Sequence, residues 1–374
     1  MKIAFAIHDV NEHGGQERST LEIINRFATN NEVHVFAASA SGLADSVHFH
    51  KIPILLRRPL FIKDFFFRIF VTIKLILLRA ELIHITGSCS FVADIVTVQF
   101  CQKRWSIEKK KMARNFGYNY IRESFQMNYD LLSELIVYKI LRKKLFIALC
   151  EDDACDLKNF YQIDKVKIIP HGVDLQKFGP DKNIYTEVRS RLKIKTEETV
   201  LLFVGTFNRK GLFYLLPAFG KLAFQYNLKL CVVGLGDFNH ANEIVSSLGI
   251  KDRVIFLGQR NPIIPFYQAA DIFVLPSTYD PFGLVGIEAL ACGLPSIISK
   301  QSGVSQFITP YANGLVLSDP HSSEEIHAKL TVLIESKLAL KIMGAKARES
   351  VMMQSWDLVW PHYEKLFSQV KAIR

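Results

Sequence analysis

Cysteine is scarce and unpatterned in this chain of 374 residues. It has six thiols, at Cys89, Cys101, Cys150, Cys155, Cys231 and Cys292, and no Cys-x2-Cys pair. That excludes a metal-ribbon framework and a disulfide scaffold, and it reads as reduced core thiols. Long uninterrupted apolar runs are missing as well. The stretch from Phe65 to Leu78 is broken by Arg68 and Lys74, so no segment reads as a bilayer span. Low-complexity linkers and short-period repeats are also lacking, which removes disordered and solenoid classes. The chain opens directly on the strand-like run Lys2 to Ile7, so no signal peptide is expected and a cytoplasmic protein follows.

What is present is a folding composition: 49% hydrophobic and 22% charged residues, in a chain long enough for two domains with their own cores. Strand-like runs (Ile3 to Ile7, Val33 to Ala37, Leu82 to Ile85) alternate with helical stretches such as Ser19 to Phe27 in the first half. A second series runs through Val200 to Val204, Leu228 to Val233, Val254 to Leu257 and Ile272 to Leu275. Repeated βα units predict an α/β protein with parallel, doubly wound sheets, whose ligands bind beyond the carboxyl ends of the strands. The expected domains are residues 1–166 and 167–355, with the terminal helix 356–374 packing back on the first.

Several glycines fall at or just after such strand ends: Gly14-Gly15, Gly205, Gly234-Leu235-Gly236 and Gly258. The most informative stretch is Asp280-Pro281-Phe282-Gly283-Leu284-Val285-Gly286-Ile287-Glu288, which follows the apolar run Ile272 to Leu275. Asp280 suits a helix N-cap and Pro281 the first helical position. The amides of Phe282, Gly283 and Leu284, at the positive end of a helix dipole, then suit an anion such as a diphosphate. Glu288 is placed to accept hydrogen bonds from a sugar or ribose diol. Taken alone, an Asp-x7-Glu pair reads as a capped helix with a solvated glutamate.

The surrounding chain separates these readings, because it resembles the retaining glycosyltransferases of family 4. The segment at Asp280 to Glu288 is similar to their acidic-pair motif, with Asp280 one methylene shorter than the usual glutamate. Lys2 to Ile7 with Gly14-Gly15 resembles the first strand and glycine loop. Ile168 to Asp174 resembles the opening of the second domain, and Leu201 to Gly205 with Arg209-Lys210-Gly211 the phosphate-contacting strand and loop. Arg-Lys-Gly after this strand also occurs in some bacterial lipopolysaccharide-core glucosyltransferases, which the chain resembles most. The resemblance implies a GT-B fold, two Rossmann-like domains facing a central cleft.

It also implies transfer of a hexose-type sugar, with retention, from a nucleoside-diphosphate sugar to a lipid-linked, lipopolysaccharide or other cell-surface glycan. Arg209 and Lys210 would stabilise charge on the β-phosphate, Asp280 would contact donor hydroxyls and Glu288 the ribose diol. Gly14, Gly15, Gly205, Phe282, Gly283, Leu284 and Val285 would line the donor. Gln99 stands near the acceptor where the family usually carries histidine, and Thr206 where arginine often follows the strand glycine. No cofactor and no metal are expected: Glu151-Asp152-Asp153 lacks the Asp-x-Asp arrangement, and no His or Cys cluster has ligand spacing. A sugar-nucleotide epimerase or a non-catalytic nucleotide-sugar binder on the same fold stays open.

Charge adds a second theme. The chain carries 46 Lys and Arg against 36 Asp and Glu, and residues 57–144 hold 17 against 7, so this one stretch accounts for the whole formal excess of +10. On a helical wheel Phe65, Phe66, Ile69, Phe70, Ile73, Ile76 and Leu77 share one face, with the charges on the other. Basic clusters follow at Lys103-Arg104, Lys109-Lys110-Lys111-Arg114 and Arg142-Lys143-Lys144. Such patterning predicts docking on an anionic membrane, at the inner face of the plasma membrane. An ordinary core-facing helix with a basic outer face is the other reading. No nucleic-acid-binding motif accompanies the charge, so nucleic acid is not an expected partner.

Overall fold

The computed structural model describes residues 1–12, 14–54, 60–116 and 120–373. His13, Arg57 and Arg58, and the side chain of Arg114, lie outside the described residues. The chain divides into two compact units, Met1–Gly172 with Asp357–Arg374, and Val173–Trp356.

In the first unit the elements run β1 (Lys2–Ala6), β2 (Asp9–Val10), α1 (Gly15–Ala28), β3 (Glu32–Ala37), β4 (Ser39–Ala40), β5 (His48–Lys51) and α2 (Leu60–Leu78). They continue with β6 (Leu82–Thr86), β7 (Ile95–Thr97), α3 (Gln102–Phe116), α4 (Tyr120–Leu141), β8 (Leu145–Ala148), α5 (Glu151–Tyr161) and β9 (Val166–Ile168). Seven strands form one parallel sheet in the order β5-β3-β1-β6-β7-β8-β9. β1 is fully apolar in its interior because helices cover both faces of a parallel sheet; Ile3, Ala4 and Phe5 have no exposed surface.

The expected boundary at 166/167 cuts through β9, which pairs Phe146 with Val166 and Ala148 with Ile168. The observed break follows Gly172. An edge strand needs only part of its surface buried, so Val-Lys-Ile gives no long apolar run.

The second unit holds α6 (Lys182–Arg191), β10 (Thr199–Val204), α7 (Leu212–Ala223), β11 (Leu228–Val233), α8 (Phe238–Ser247), β12 (Val254–Gly258) and α9 (Ile264–Ala269). Then come β13 (Ile272–Leu275), α10 (Leu284–Ala291), β14 (Ser296–Ser299), β15 (Gly314–Leu317), α11 (Ser323–Ile334) and α12 (Lys337–Ser350). Its six-stranded parallel sheet has the order β12-β11-β10-β13-β14-β15. The core gathers Leu201 and Phe203 of β10, Leu215 and Phe219 of α7, and Leu230 and Val232 of β11. Strand order reverses between β10 and β13, which are direct neighbours. That is the crevice where open α/β sheets bind ligands.

The last helix, α13 (Trp356–Ile373), buries Tyr363 and Phe367 completely. Phe367 stacks on Phe27 of α1 at 4.3 Å and on Phe5 of β1 at 6.1 Å, so residues from 357 onward belong to the first unit's core.

Helix α2 corrects one sequence expectation and sharpens another. Its core-facing stripe is Phe67, Val71 and Leu75, spaced by four, and Arg68 is buried beside them, with Nε donating to the Ser88 carbonyl at 2.7 Å. Phe65, Phe66, Ile73, Ile76 and Leu77 face solvent, and Leu77 is 73% exposed. The apolar face that the wheel isolates is therefore an outer one. Helix α4 adds exposed Phe125, Leu132, Leu135, Ile136 and Ile140, and Phe61 of α2 meets Phe125 edge-on at 5.0 Å. Among the described residues no helix is long and apolar enough to cross a membrane.

Candidate functional site

At the switch point of the second sheet, the loops after β10 and β13 are stitched together. The Arg209 carbonyl accepts from the Thr278 amide at 2.9 Å and from the Thr278 hydroxyl at 3.1 Å, while Arg209 Nη1 donates to the Tyr279 carbonyl at 3.0 Å. This delivers three charged side chains to one place. Lys210 Nζ donates to Asp280 Oδ2, and Arg209 Nη1 lies 3.6 Å from Asp280 Oδ1. Lys210 and Asp280 are both buried, whereas Arg209 keeps about a quarter of its side chain exposed. Burial pulls the Lys210 ammonium down to about 8, against the opposing pull of Asp280. The trio carries one net positive charge, with Arg209 its solvent-facing member.

Asp280 is thus an ion-pair partner rather than the expected N-cap. Helix α10 starts four residues later, at Leu284, and its N-cap is Gly283 with φ +85°. A Cβ at Gly283 would sit 2.5 Å from Ser302 Oγ and 3.0 Å from Asp280 Oδ2, so glycine answers both the backbone conformation and the close approach of the acid. The turn is pinned by the Val304 amide on the Phe282 carbonyl and the Gly303 amide on the Asp280 carbonyl. Phe282 and Gly283 are buried, while Leu284 and Val285 are partly open. The amides of the latter two are the first of α10, where a helix has no intrahelical acceptor to offer.

Glu288 stands in the second turn of α10 and is 2% exposed. Its Oε2 accepts from the Tyr267 hydroxyl at 2.9 Å, and Tyr267 is itself fully buried in α9. The glutamate is therefore oriented by a rigid neighbour, which no spacing in the sequence announced. Gly205, at the end of β10, has Lys210 folded over it: a Cβ there would lie 2.6 Å from Lys210 Cγ. Thr206 is exposed, so the charge at this loop comes from Arg209 and Lys210.

Gly14, Gly15 and Gln99 belong to the first unit. Gly14 caps α1 in an extended conformation, its amide donating to Asn11 Oδ1 at 3.1 Å, and Gly15 is the first helical residue. Gln99 follows β7 and is nearly buried. Its Oε1 accepts from Ser19 Oγ at 3.3 Å and its Nε2 donates to Thr20 Oγ1 at 3.2 Å. Both amide atoms latch the start of α1. His8, at the carboxyl end of β1, donates from Nδ1 to Asp9 Oδ2 at 2.6 Å, and its Nε2 lies 3.6 Å from Asp64 Oδ1. Burial opposes its charge, but Asp64 and Asp9 outweigh that and raise it to about 8.

Two groupings gave no sequence signal. Asp153, noted in the sequence only within a run that lacks the Asp-x-Asp arrangement, is buried, and burial pushes its carboxyl well above the usual range. Glu32, His34 and His48, unremarkable by spacing, bring ligand-type atoms within 4.8 Å of one another.

Comparison with known proteins places the chain among similar sequences and folds. Residues 13–177 match the family model described as Glycosyltransferase Family 4, and residues 185–350 that described as Glycosyl transferases group 1. An uncharacterized glycosyltransferase of Methanocaldococcus jannaschii is 34% identical over 173 residues, 44% of each chain. A D-inositol 3-phosphate glycosyltransferase of Rhodococcus jostii is 30% identical over 225 residues, 56% of this chain and 49% of that one. The chain spans about half the length of the curated relatives it matches. Among solved structures, WaaG, a glycosyltransferase involved in lipopolysaccharide biosynthesis, superposes with a TM-score of 0.83 at 20% identity, covering 98% of this chain and 99% of that one. The sucrose-phosphate synthase of Thermosynechococcus elongatus superposes at 0.81 and 21% identity, covering 100% and 99%. Two successive stretches of the chain therefore resemble glycosyltransferase domains of these two descriptions, and the fold is GT-B.

Proposed function

We propose that this protein is a retaining hexosyltransferase. It takes the sugar from a nucleoside-diphosphate donor and passes it to a lipid-linked or lipopolysaccharide-type glycan at an anionic membrane surface. The observation that carries this reading is the Arg209–Lys210–Asp280 cluster at the switch point of the second sheet, beside the start of α10. When the bond from the anomeric carbon to the β-phosphate oxygen breaks, negative charge grows on the leaving diphosphate. Lys210, Arg209 and the Leu284 and Val285 amides meet it in a site that needs no reorganisation. The acceptor hydroxyl forms the new bond on the same face, and its proton passes to a donor phosphate oxygen. Two side-chain cations take the part of a divalent ion in this scheme. Asp280 orients donor hydroxyls, and Glu288, held by Tyr267, takes the ribose diol. Structural support for the donor class comes from Anabaena HepE, solved with UDP-glucose, which superposes at a TM-score of 0.75 and 18% identity.

The membrane half of the reading rests on the exposed apolar faces of α2 and α4. A cleft of about 600 Å³ beside them is lined by Leu75, Ile76, Arg79, Ile83, Ile140 and Lys144. Patches this apolar, rimmed by lysine and arginine, mark interaction surfaces. Cosedimentation with phosphatidylglycerol vesicles tests it. The wild-type chain is expected to bind them and to ignore neutral phosphatidylcholine vesicles. The combined change Phe65→Ser, Phe66→Ser, Ile76→Ser, Leu77→Ser should weaken binding by at least about tenfold. Unchanged partitioning of that variant would remove the membrane from the account. The transfer itself is tested by following nucleoside-diphosphate release and the anomeric configuration of the product. Retention undiminished by EDTA supports the scheme; inversion, or loss with chelator, overturns it.

A further inference from the structure

Strand β5 is the outer strand of the first unit's sheet, and its sequence, His48-Phe49-His50-Lys51, is polar for a strand in such a fold. Alternation along a strand sends His48 and His50 to one face, and Glu32, His34 and Phe36 of β3 likewise share a face. The parallel register sets His34 opposite His48 and Phe36 opposite His50. Three imidazoles and a carboxylate therefore converge at one sheet edge. His34 Nε2 lies 2.9 Å from Glu32 Oε1, and His34 Nδ1 lies 2.8 Å from His50 Nε2. The His34 ring stacks on His48 at 4.8 Å and on His50 at 5.1 Å. His34 is 7% exposed; Glu32 and His48 are open to solvent.

We propose that Glu32, His34 and His48 bind one divalent transition-metal ion of the zinc class, with His50 holding the His34 ring through its other nitrogen.

The donor set defines the ion. Two imidazole nitrogens and one carboxylate oxygen suit zinc, cobalt, nickel or copper, whereas magnesium and calcium call for oxygen cages. The three ligand-type atoms already lie within 4.8 Å of one another. Bonds of about 2.0–2.1 Å in a tetrahedron put ligand atoms roughly 3.3 Å apart. Glu32 Oε1 and His34 Nε2 need part by only a few tenths of an ångström to admit the ion. His48, exposed on the outer strand, closes the triangle by turning its ring out of the stack. The fourth position is left to water.

The surroundings supply what a histidine ligand needs. A metal-bound imidazole is oriented by a hydrogen bond at its second nitrogen, and His50 Nε2 is in place to accept from His34 Nδ1–H. Lys2 Nζ, 3.6 Å from Glu32 Oε1, is the competing cation. It is a surface amine on a flexible stem, so it can turn to solvent when Glu32 takes the ion. Bound there, the ion would tie β5 to β3 and stiffen the outer edge of the sheet. The site lies in the first unit and is independent of the transfer chemistry proposed above.

The test uses the full chain without a polyhistidine tag, stripped with chelator and titrated calorimetrically with ZnCl2, with Co(II) absorption as a second readout. One ion per chain is expected, at micromolar affinity or tighter, with the intensity of a four-coordinate Co(II) centre. His48→Ala should abolish saturable binding, and His50→Ala should weaken it by about 10–100-fold. His240→Ala, at a surface histidine paired with Glu243 in the other unit, should leave it unchanged. Zinc should also raise the melting temperature of the wild type and not that of His48→Ala. His48 is solvent-facing, so its variant tests the site even where a change at buried His34 impairs folding. No saturable binding below about 100 µM, well short of the affinity of built zinc sites, would overturn the proposal. So would binding that His48→Ala and Glu32→Gln leave unmoved.

Discussion

Lys210→Met is expected to lower sugar transfer by roughly 10²–10³-fold, the usual cost of removing one preorganised donor from a developing oxyanion. Methionine keeps the length of the lysine stem that covers Gly205, so packing changes little and the charge is what is lost. Asp280 then keeps Arg209 at 3.6 Å as its cation. That should hold the folding penalty below the roughly 3–5 kcal/mol typical of a buried ion left without a partner. Adding Asp280→Asn should restore much of the stability and none of the transfer. The two readouts therefore separate: melting temperature follows the ion pair, and turnover follows the cation. Transfer that survives Lys210→Met would mean that the diphosphate is neutralised elsewhere. A double variant that regains activity would show that Lys210 acts only through Asp280.

Gly234→Ala should be among the most damaging single methyls in the second unit. Gly234 ends β11 with φ +143°, and a Cβ there would stand 2.0 Å from the Gly205 carbonyl oxygen. The obstacle is backbone, and it is the backbone that ends β10 just before the Arg209–Lys210 loop. Strain at such a φ costs about 1–3 kcal/mol before the clash is counted. A total of about 3 kcal/mol corresponds to a melting-temperature drop of roughly 6–12 °C for a unit of this size. Gly258→Ala is the control: its φ is +68°, and a Cβ there meets nothing within 4 Å. That change should cost only the left-handed conformation, about 1–2 kcal/mol. Equal drops for the two variants would contradict the tight packing of the strand ends. A larger loss for Gly234→Ala, with weakened donor binding, follows from the geometry.

The parts of this fold written in local pattern were legible in the sequence. The runs Val200 to Val204 and Ile272 to Leu275 are fully apolar, and Leu228 to Val233 is apolar apart from Lys229, because both faces of a parallel sheet are covered; they are strands β10, β11 and β13. Arg209, Lys210 and Asp280 come together because β10 and β13 are neighbours, a pairing across about seventy residues that the resemblance implied and periodicity alone did not. The cap at α10 was misplaced for a local reason. Asp-Pro has the chemistry of a helix start, but the acid is drawn off by Lys210, and Gly283, able to adopt a positive φ, begins the helix instead.

The partners of Gln99, Ser19 and Thr20, lie about eighty positions away and left no local signal either. β5 escaped notice because its histidines look like loop composition. Two His-x-His or Glu-x-His pairs gain meaning only once the register between strands is known. On α2 the wheel found the apolar face correctly; which side met the core depended on tertiary packing, which buries Phe67, Val71 and Leu75 instead.

The central claim, a nucleoside-diphosphate site built on Lys210, Asp280 and Glu288, is tested most directly by a thermal-shift panel. UDP, GDP, ADP, CDP and CMP would each be added to the wild type and to Glu288→Ala, with and without Mg²⁺. At a hundredfold excess over Kd a ligand adds about 2.7 kcal/mol, or roughly 5–10 °C for a unit of this size. The account predicts such a rise with one nucleoside diphosphate, the same with or without Mg²⁺, and lost when Glu288 is removed. No rise with any of the five, or a rise that Glu288→Ala retains in full, would contradict it.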